Sequence, residues 1–171
     1  MDRARAADSY GGSLRVSLKG QRVRARTRAL VAFRRPGDLR IEIPGPAGVR
    51  LIAVASGDAL TAVFPGERAV FTGRAAADDL DALLGVALTP SEVMDLLVGA
   101  PPPQLKAYQA RWGPLLPEQI SATLADDTRL KLEIEQPELS PPLPLEAFAD
   151  PPHEGYRPIG ADEARELLGR R

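Results

Sequence analysis

The sequence has 171 residues, of which 44% are hydrophobic and 26% charged, and its formal net charge is −1. This length and composition are typical of one globular domain with a sizeable core. The near-neutral charge argues against a general binder of polyanions. The absence of cysteine excludes disulfides, thiol nucleophiles and thiolate metal sites.

The charges are unevenly distributed along the chain. Residues 1–50 contain 12 Lys and Arg against 4 Asp and Glu, whereas residues 51–171 contain 10 against 19. A dipolar surface of this kind can steer a charged partner even when the total charge is small. No apolar run approaches the roughly 18 residues that a membrane-spanning helix needs, so no transmembrane segment is expected.

Six strands are predicted in the first part of the chain, where apolar and polar residues alternate with a period of two. In the first of them, Leu14, Val16 and Leu18 share one face. The six stretches are SLRVSLKG, VRARTRALVAF, DLRIEIPG, GVRLIAVAS, ALTAVFPG and RAVFTG. Turn signals of Gly, Pro and Asp separate them, which is typical of an antiparallel meander.

Two short helices are predicted in the middle of the chain. The stretch AAADDLDALLG has leucines at helical spacing and stops at Gly85. The stretch TPSEVMDLLVG begins with Thr89 as N-cap, Pro90 at the first helical position and Glu92 completing a capping box. Gly99 ends this second helix.

Three more strands follow, in LKAYQARW, EQISATLAD and RLKLEIEQ, before a Pro-rich tail that is expected to be extended and a short helix in ADEARELLGRR. The predicted fold is mainly β (α+β): a curled antiparallel half-barrel of about nine to eleven strands, with the two helices as a lid over an apolar cavity. Residues 1–12 are expected to be a linker, 13–148 the half-barrel, and 149–171 the tail with its helix.

Catalytic candidates are few. The one histidine, His153, is flanked by prolines and is expected to be exposed and inert. The acidic pairs at residues 78–79 and 126–127 are expected at a helix start and in a turn, where Asp is common for structural reasons. No phosphate-binding glycine loop or nucleophile elbow is present. We expect no enzyme activity, no metal and no cofactor.

A stripe of arginines alternates along the second predicted strand, at Arg22, Arg24, Arg26 and Arg28. Binding of single-stranded nucleic acid would also need aromatic stacking platforms, which this face lacks, so no nucleic-acid partner is expected. We expect a solvated face on which Glu42, Glu133 or Glu135 pairs with some of the arginines.

The other face of the same strand carries Val23, Ala25, Thr27 and Ala29, which are small for a core position. Small residues on the concave face of a curled sheet leave volume behind. Either leucines of the two helices fill this volume, or it is an apolar cavity that accepts a ligand. The residues alone leave both alternatives open.

Several motifs resemble the LolA/LolB family of bacterial lipoprotein carriers and acceptors, most closely the LolB side. These are IPGPAG at residues 43–48, LGVALTP at 84–90, LLVGAP at 96–101, and the order of segments in LLPEQISATLADDTRLKLEIEQPELSPPLP. The resemblance covers most of residues 13–148. It implies an unclosed barrel of about eleven strands whose cavity holds the acyl chains of a lipoprotein, without bond chemistry or cofactor.

The resemblance also implies a compartment and partners. These are the periplasm, with anchoring to the outer membrane through a lipidated N-terminus in acceptor members, and acyl chains of lipoproteins or other lipids as ligands. A periplasmic carrier or an envelope transport protein is a further partner, and the arginine stripe is its expected docking surface. A monomer is expected. The alternative is an envelope protein-interaction module without bound lipid. The residues expected to line the cavity are Ala25, Ala29, Val31, Ile41, Leu51, Leu83, Leu96 and Leu97.

Overall fold

The structure, a computed structural model, describes residues 2–21 and 23–169. Its helices are α1 (Asp2–Arg5), α2 (Ala77–Leu84), α3 (Pro90–Leu97) and α4 (Ala161–Gly169), with a 3-10 helix at Leu145–Phe148. Its strands are β1 (Ser9–Lys19), β2 (Arg24–Arg34), β3 (Asp38–Gly45), β4 (Gly48–Ser56), β5 (Ala59–Phe64), β6 (Ala69–Arg74), β7 (Ala107–Trp112), β8 (Pro117–Thr123), β9 (Arg129–Leu139) and β10 (Arg157–Pro158).

All the described strands form a single open, curled sheet in the order β10-β6-β5-β4-β3-β2-β1-β9-β8-β7. Neighbours are antiparallel except for the short β10, which is parallel to β6. The ten strands and the short helices confirm the predicted half-barrel. The nine stretches predicted as strands all form strands. Most of them bury one apolar face, whereas β5 is buried on both faces after its first residue.

The concave side of the sheet holds the core. Part of it lies along neighbouring positions of β1, β2 and β3, where the rings of Tyr10 and Phe33 are stacked with centroids 5.2 Å apart. Both residues have no exposed surface, and Leu39 beside them is 2% exposed. Burial of large aromatic rings of this kind dominates the energetics of a core.

The two central helices begin and end where the sequence predicts. The amide of Glu92 donates to Thr89 Oγ1 at 3.2 Å and the amide of Thr89 donates to Glu92 Oε2 at 2.8 Å, which completes the capping box of α3. Gly85 follows α2 with a φ of 75°, a left-handed conformation that favours glycine. These local signals fix both helices over the concave face.

Both ends of the chain belong to the domain more closely than the sequence indicated. Residues 9–12 were expected in a linker, but β1 begins at Ser9 and pairs with β2 from its first residue. In the Pro-rich tail, Phe148 is buried and the guanidinium of Arg34 lies 5.0 Å from the centre of its ring. Helix α4 packs against α2 and buries Ala164 and Leu167.

Candidate ligand cavity

A cavity of about 620 Å³ lies between the concave face of the sheet and the helices α2, α3 and α4. Strands β1, β2, β3 and β9 form its floor, and aliphatic side chains dominate the lining. The volume falls within the roughly 300–1,000 Å³ of typical small-molecule sites. The leucines of the two central helices therefore do not fill the space above β2.

The structure places seven of the eight expected residues along this cavity, which are Ala25, Ala29, Val31, Ile41, Leu83, Leu96 and Leu97. Leu51 is the exception. It lies on β4 opposite Ile43, and it is fully buried in the packed core rather than at the cavity. From β4, the residue that lines the cavity is Arg50.

The small residues of β2 open the cavity at one end. Ala29 is 5% exposed and lies deep in the cavity wall, whereas Ala25 also lines the cavity but is exposed to solvent. Thr27, between them, is half-buried and its hydroxyl donates to the carbonyl of Arg28 at 3.2 Å. The mouth of the cavity therefore lies beside the first residues of β2.

Helix α4 forms a wall of the cavity that the sequence did not reveal. Leu168 lines the cavity, and the guanidinium of Arg50 donates to the carbonyls of Leu167 and Leu168 at 3.0 and 2.7 Å. Arg165 in turn donates through Nε to the carbonyl of Ala82 on α2 at 3.2 Å. A guanidinium at the last carbonyls of a helix is favourable both as a hydrogen-bond donor and for the helix dipole. No local sequence pattern marks this contact, since Arg50 and Leu168 are distant in the chain.

The arginine stripe lies at the same mouth. Arg24, Arg26 and Arg28 are exposed, and Arg24 and Arg26 border the cavity. Arg22 lies outside the described residues. Within the described part of the chain, Arg24, Arg26 and Arg28 make no ion pair.

For Arg24, Arg26 and Arg28, the expected pairing with Glu42, Glu133 or Glu135 was wrong. Glu42 pairs with Arg40 at 2.6 Å, Glu135 with Arg15 at 3.1 Å, and Glu133 with Lys131 at 3.6 Å. The register explains this, because Arg15 on β1 separates the stripe from the acidic residues of β9. Within residues 2–21 and 23–169, no acidic side chain neutralises Arg24, Arg26 and Arg28.

The chemistry available in the cavity is apolar burial. His153 is half-buried, away from the cavity, and its Nδ1 lies 2.8 Å from the carbonyl oxygen of Pro151. Among the described residues, no group of three His, Cys, Asp or Glu is arranged to hold a metal ion. Beside the cavity, burial raises the pKa of Tyr108 to about 12, and its hydroxyl donates to the carbonyl of Leu96 at 3.3 Å. This neutral phenol links β7 to α3.

The open, curled sheet with short helices over its concave face is a LolA/LolB-like fold. The structure is similar to that of a LolA superfamily protein from Nitrosomonas europaea, with a TM-score of 0.51 and 12% sequence identity over 86% of this chain and 94% of that chain. A DUF1329 family protein from Desulfovibrio piger matches with a TM-score of 0.46 and 11% identity, over 86% of this chain and 92% of that one.

At 12% identity, the similarity to the Nitrosomonas europaea protein establishes the fold alone. It confirms the resemblance seen in the sequence at the level of the fold. No family model and no curated protein matches the sequence. None of the helices within residues 2–21 and 23–169 has the length and apolar character to cross a bilayer.

Proposed function

We propose that this protein is a carrier or acceptor of lipids or lipoproteins that holds acyl chains in the cavity between the sheet and helices α2, α3 and α4. The observation that carries the proposal is the cavity itself, with its volume of about 620 Å³ and its aliphatic lining. Its proposed binding residues are those seven expected residues that line it, together with Leu14, Val16 and Leu18 on β1, Leu130 and Leu132 on β9, and Leu168 on α4.

Burial of methylene groups would supply the affinity. Each buried CH₂ contributes about 0.8 kcal/mol, so a chain that buries ten of them gains about 8 kcal/mol before the entropy of association is subtracted. Arg24 and Arg26 stand at the mouth, where they can contact an anionic or polar head group. The ligand that fits this arrangement has an apolar tail and a polar end that remains in water.

The fold and the basic surface support a role in the bacterial envelope. The LolA/LolB-like fold favours a periplasmic protein that acts as a monomer, and the absence of ion pairs along Arg24, Arg26 and Arg28 favours an acidic partner at this surface. Of the two roles, carrier and acceptor, we propose that of a LolB-like acceptor anchored to the outer membrane. The partner is then a periplasmic carrier or an envelope transport protein.

The test is binding of a fluorescent fatty acid by two matched variants. Ala25→Trp places an indole in the mouth of the cavity, whereas Ala107→Trp places one at an exposed position of β7 outside it. We expect Ala25→Trp to lower the affinity by about tenfold or more. A tenfold loss corresponds to about two fewer methylene groups of the ligand buried in the cavity. Ala107→Trp should bind as the unmodified protein does.

Native mass spectrometry after gentle purification gives an independent measurement. We expect a population whose extra mass corresponds to an acyl lipid, and a smaller population of this kind for Ala25→Trp. A protein that is empty and also fails to bind the fluorescent fatty acid would reject the carrier function. That result would favour an interaction module on the same scaffold.

A further inference from the structure

Strand β2 has a free edge inside an otherwise continuous sheet. It pairs with β1 along its whole length, from Arg24 to Arg34, but with β3 only from Leu30 to Arg34. Beyond Glu42, the residues of β3 pair with β4 alone. The sheet therefore splits between the first half of β2 and the end of β3, and the split lies at the mouth of the cavity.

The register shows which backbone groups are free. The amide of Gly20 donates to the carbonyl of Val23 at 2.7 Å, so this pair is hydrogen-bonded across the β1–β2 hairpin. In an antiparallel ladder bonded and non-bonded pairs alternate. The backbone groups of Arg24, Arg26 and Arg28 thus point away from β1, and in the described part of the chain no other strand pairs with them. The carbonyl of Arg28 accepts from the Thr27 hydroxyl at 3.2 Å, so the groups that an added strand can use are the three amides and the carbonyls of Arg24 and Arg26.

The two faces of this edge differ in character. The side chains of Arg24, Arg26 and Arg28 are exposed and form no ion pair with any described residue, whereas Ala25 and Thr27 between them line the cavity. The free edge extends over about 14 Å, enough for a strand of four to five residues. Its arginines repel a second copy of the same edge and favour a partner strand with acidic side chains.

We propose that an acidic, extended peptide segment adds to the sheet as a strand along Arg24–Arg28, and that this segment belongs to the polypeptide that carries the acyl chain. Backbone hydrogen bonds supply affinity in such strand addition, and the alternating side chains supply specificity. Acidic side chains at alternate positions of the added strand lie beside the arginines. The side chains at the intervening positions of the added strand point toward Ala25, Thr27 and the cavity. An acylated residue in one of the latter positions directs its chain into the cavity.

This inference rests on the proposed function, because it assigns the peptide portion of the same cargo. It predicts that recognition extends beyond the lipid to the residues that follow the acylated one. Strand β7 offers an internal comparison, since it is the last strand of the sheet and has a free edge of its own without an arginine at every second position.

The test uses three synthetic ten-residue peptides, each with an N-terminal cysteine carrying a palmitoyl thioester. The first continues with alternating Ser and Asp, the second is the same peptide N-methylated at alternate amides, and the third has Lys in place of Asp. Because it loses two or three backbone hydrogen bonds, the methylated peptide should bind with an affinity about 10- to 100-fold lower than that of the first peptide. Hydrogen exchange at Arg24, Arg26 and Arg28 should slow with the first peptide, whereas exchange in β7 should not change.

Equal affinity of the methylated and unmethylated peptides, or unchanged exchange at the three arginine amides, would overturn strand addition. Binding of free palmitate is measured as well, because it tests the proposed acyl-chain binding in the cavity separately from strand addition at the β2 edge. If palmitate binds while the peptides show no dependence on methylation, the cavity function stands and the peptide site is rejected. If palmitate fails to bind, the cavity function is rejected, whatever the peptides do.

Charge variants test the acidic preference. The double variant Arg24→Glu, Arg26→Glu should lower the affinity for the Asp peptide by about tenfold or more and raise the affinity for the Lys peptide. The matched control Arg129→Glu, Lys131→Glu changes the same number of charges on β9. This strand is separated from β2 by two strand spacings of about 4.8 Å each. The total distance is close to a Debye length, so salt weakens the effect of the control charges on the β2 edge. A control that has as large an effect as the first variant would contradict recognition at the β2 edge.

Discussion

Strand β2 is packed along Leu30–Arg34 and open along Arg24–Ala29. In the packed half it pairs with both β1 and β3, and Phe33 has no exposed surface. In the open half it pairs with β1 alone, and Ala25 is in contact with solvent. One strand thus contributes to the stability of the fold at one end and to the proposed binding site at the other, so substitutions in the two halves should separate these properties.

The largest expected effect is that of Phe33→Ala in the packed half. Removal of this ring and of its stacking with Tyr10 should lower the free energy of unfolding by about 3–5 kcal/mol, measured by urea denaturation. Thr27→Ala in the open half should lower it by less than about 1 kcal/mol, because the half-buried side chain already borders empty space. Equal losses would contradict the division of β2.

A second comparison sets Leu51 against Leu83, two buried leucines of which only Leu83 lines the cavity. Leu51→Ala should lower the free energy of unfolding toward the upper end of about 2–5 kcal/mol, and Leu83→Ala toward the lower end, because Leu83 has fewer packing partners to lose. Only Leu83→Ala should change the affinity for a fluorescent fatty acid. A change of affinity in Leu51→Ala alone would place the ligand elsewhere.

Much of this architecture follows from patterns that are local in the sequence. The alternation of apolar and polar residues is a property of each strand by itself, and a capping box needs only Thr89 and Glu92. The strands and the capping box could be predicted because neighbouring residues determine them. The small side chains between the arginines of β2 indicated where space could remain, but whether the helices fill that space depends on long-range packing.

Other features depend on which segments meet. The free edge of β2 follows from the register with β3, and the wall formed by α4 follows from a contact between Arg50 and the end of the chain. Residues 9–12 were expected in a linker, yet β2 and β9 pair with this stretch. Such long-range pairing leaves no periodic signal in the sequence.

The contact of α4 with the sheet can be broken at Arg50. Arg50→Ala removes the donors to the carbonyls of Leu167 and Leu168. A hydrogen bond of a charged group contributes about 1.5–3 kcal/mol to stability. Hydrogen exchange of the α4 amides should therefore become about 10- to 100-fold faster. The control is Arg157→Ala, which breaks an exposed ion pair with Glu163 on the same helix and should have a smaller effect. If both variants accelerate exchange equally, Arg50 has no special role.

The smallest expected effect lies in the packed half of the sheet. The hydroxyl of Tyr10 is buried and makes no hydrogen bond with any described residue, and burial raises the pKa of this phenol. Tyr10→Phe should therefore raise the free energy of unfolding by about 1 kcal/mol, since it removes an unsatisfied polar group and keeps the ring. A loss of stability in thermal or urea unfolding would show that the hydroxyl has a partner.

Photoaffinity labelling with a diazirine fatty acid tests most directly whether acyl chains occupy the cavity. After irradiation and digestion, cross-links should map to the open half of β2, to Leu83 on α2 and to Leu96 and Leu97 on α3, and unlabelled palmitate should suppress them. Labelling confined to β5 and β6, or to a second, separate pocket lined by Ser17, Lys19 and Lys131, would contradict occupation of the cavity by acyl chains.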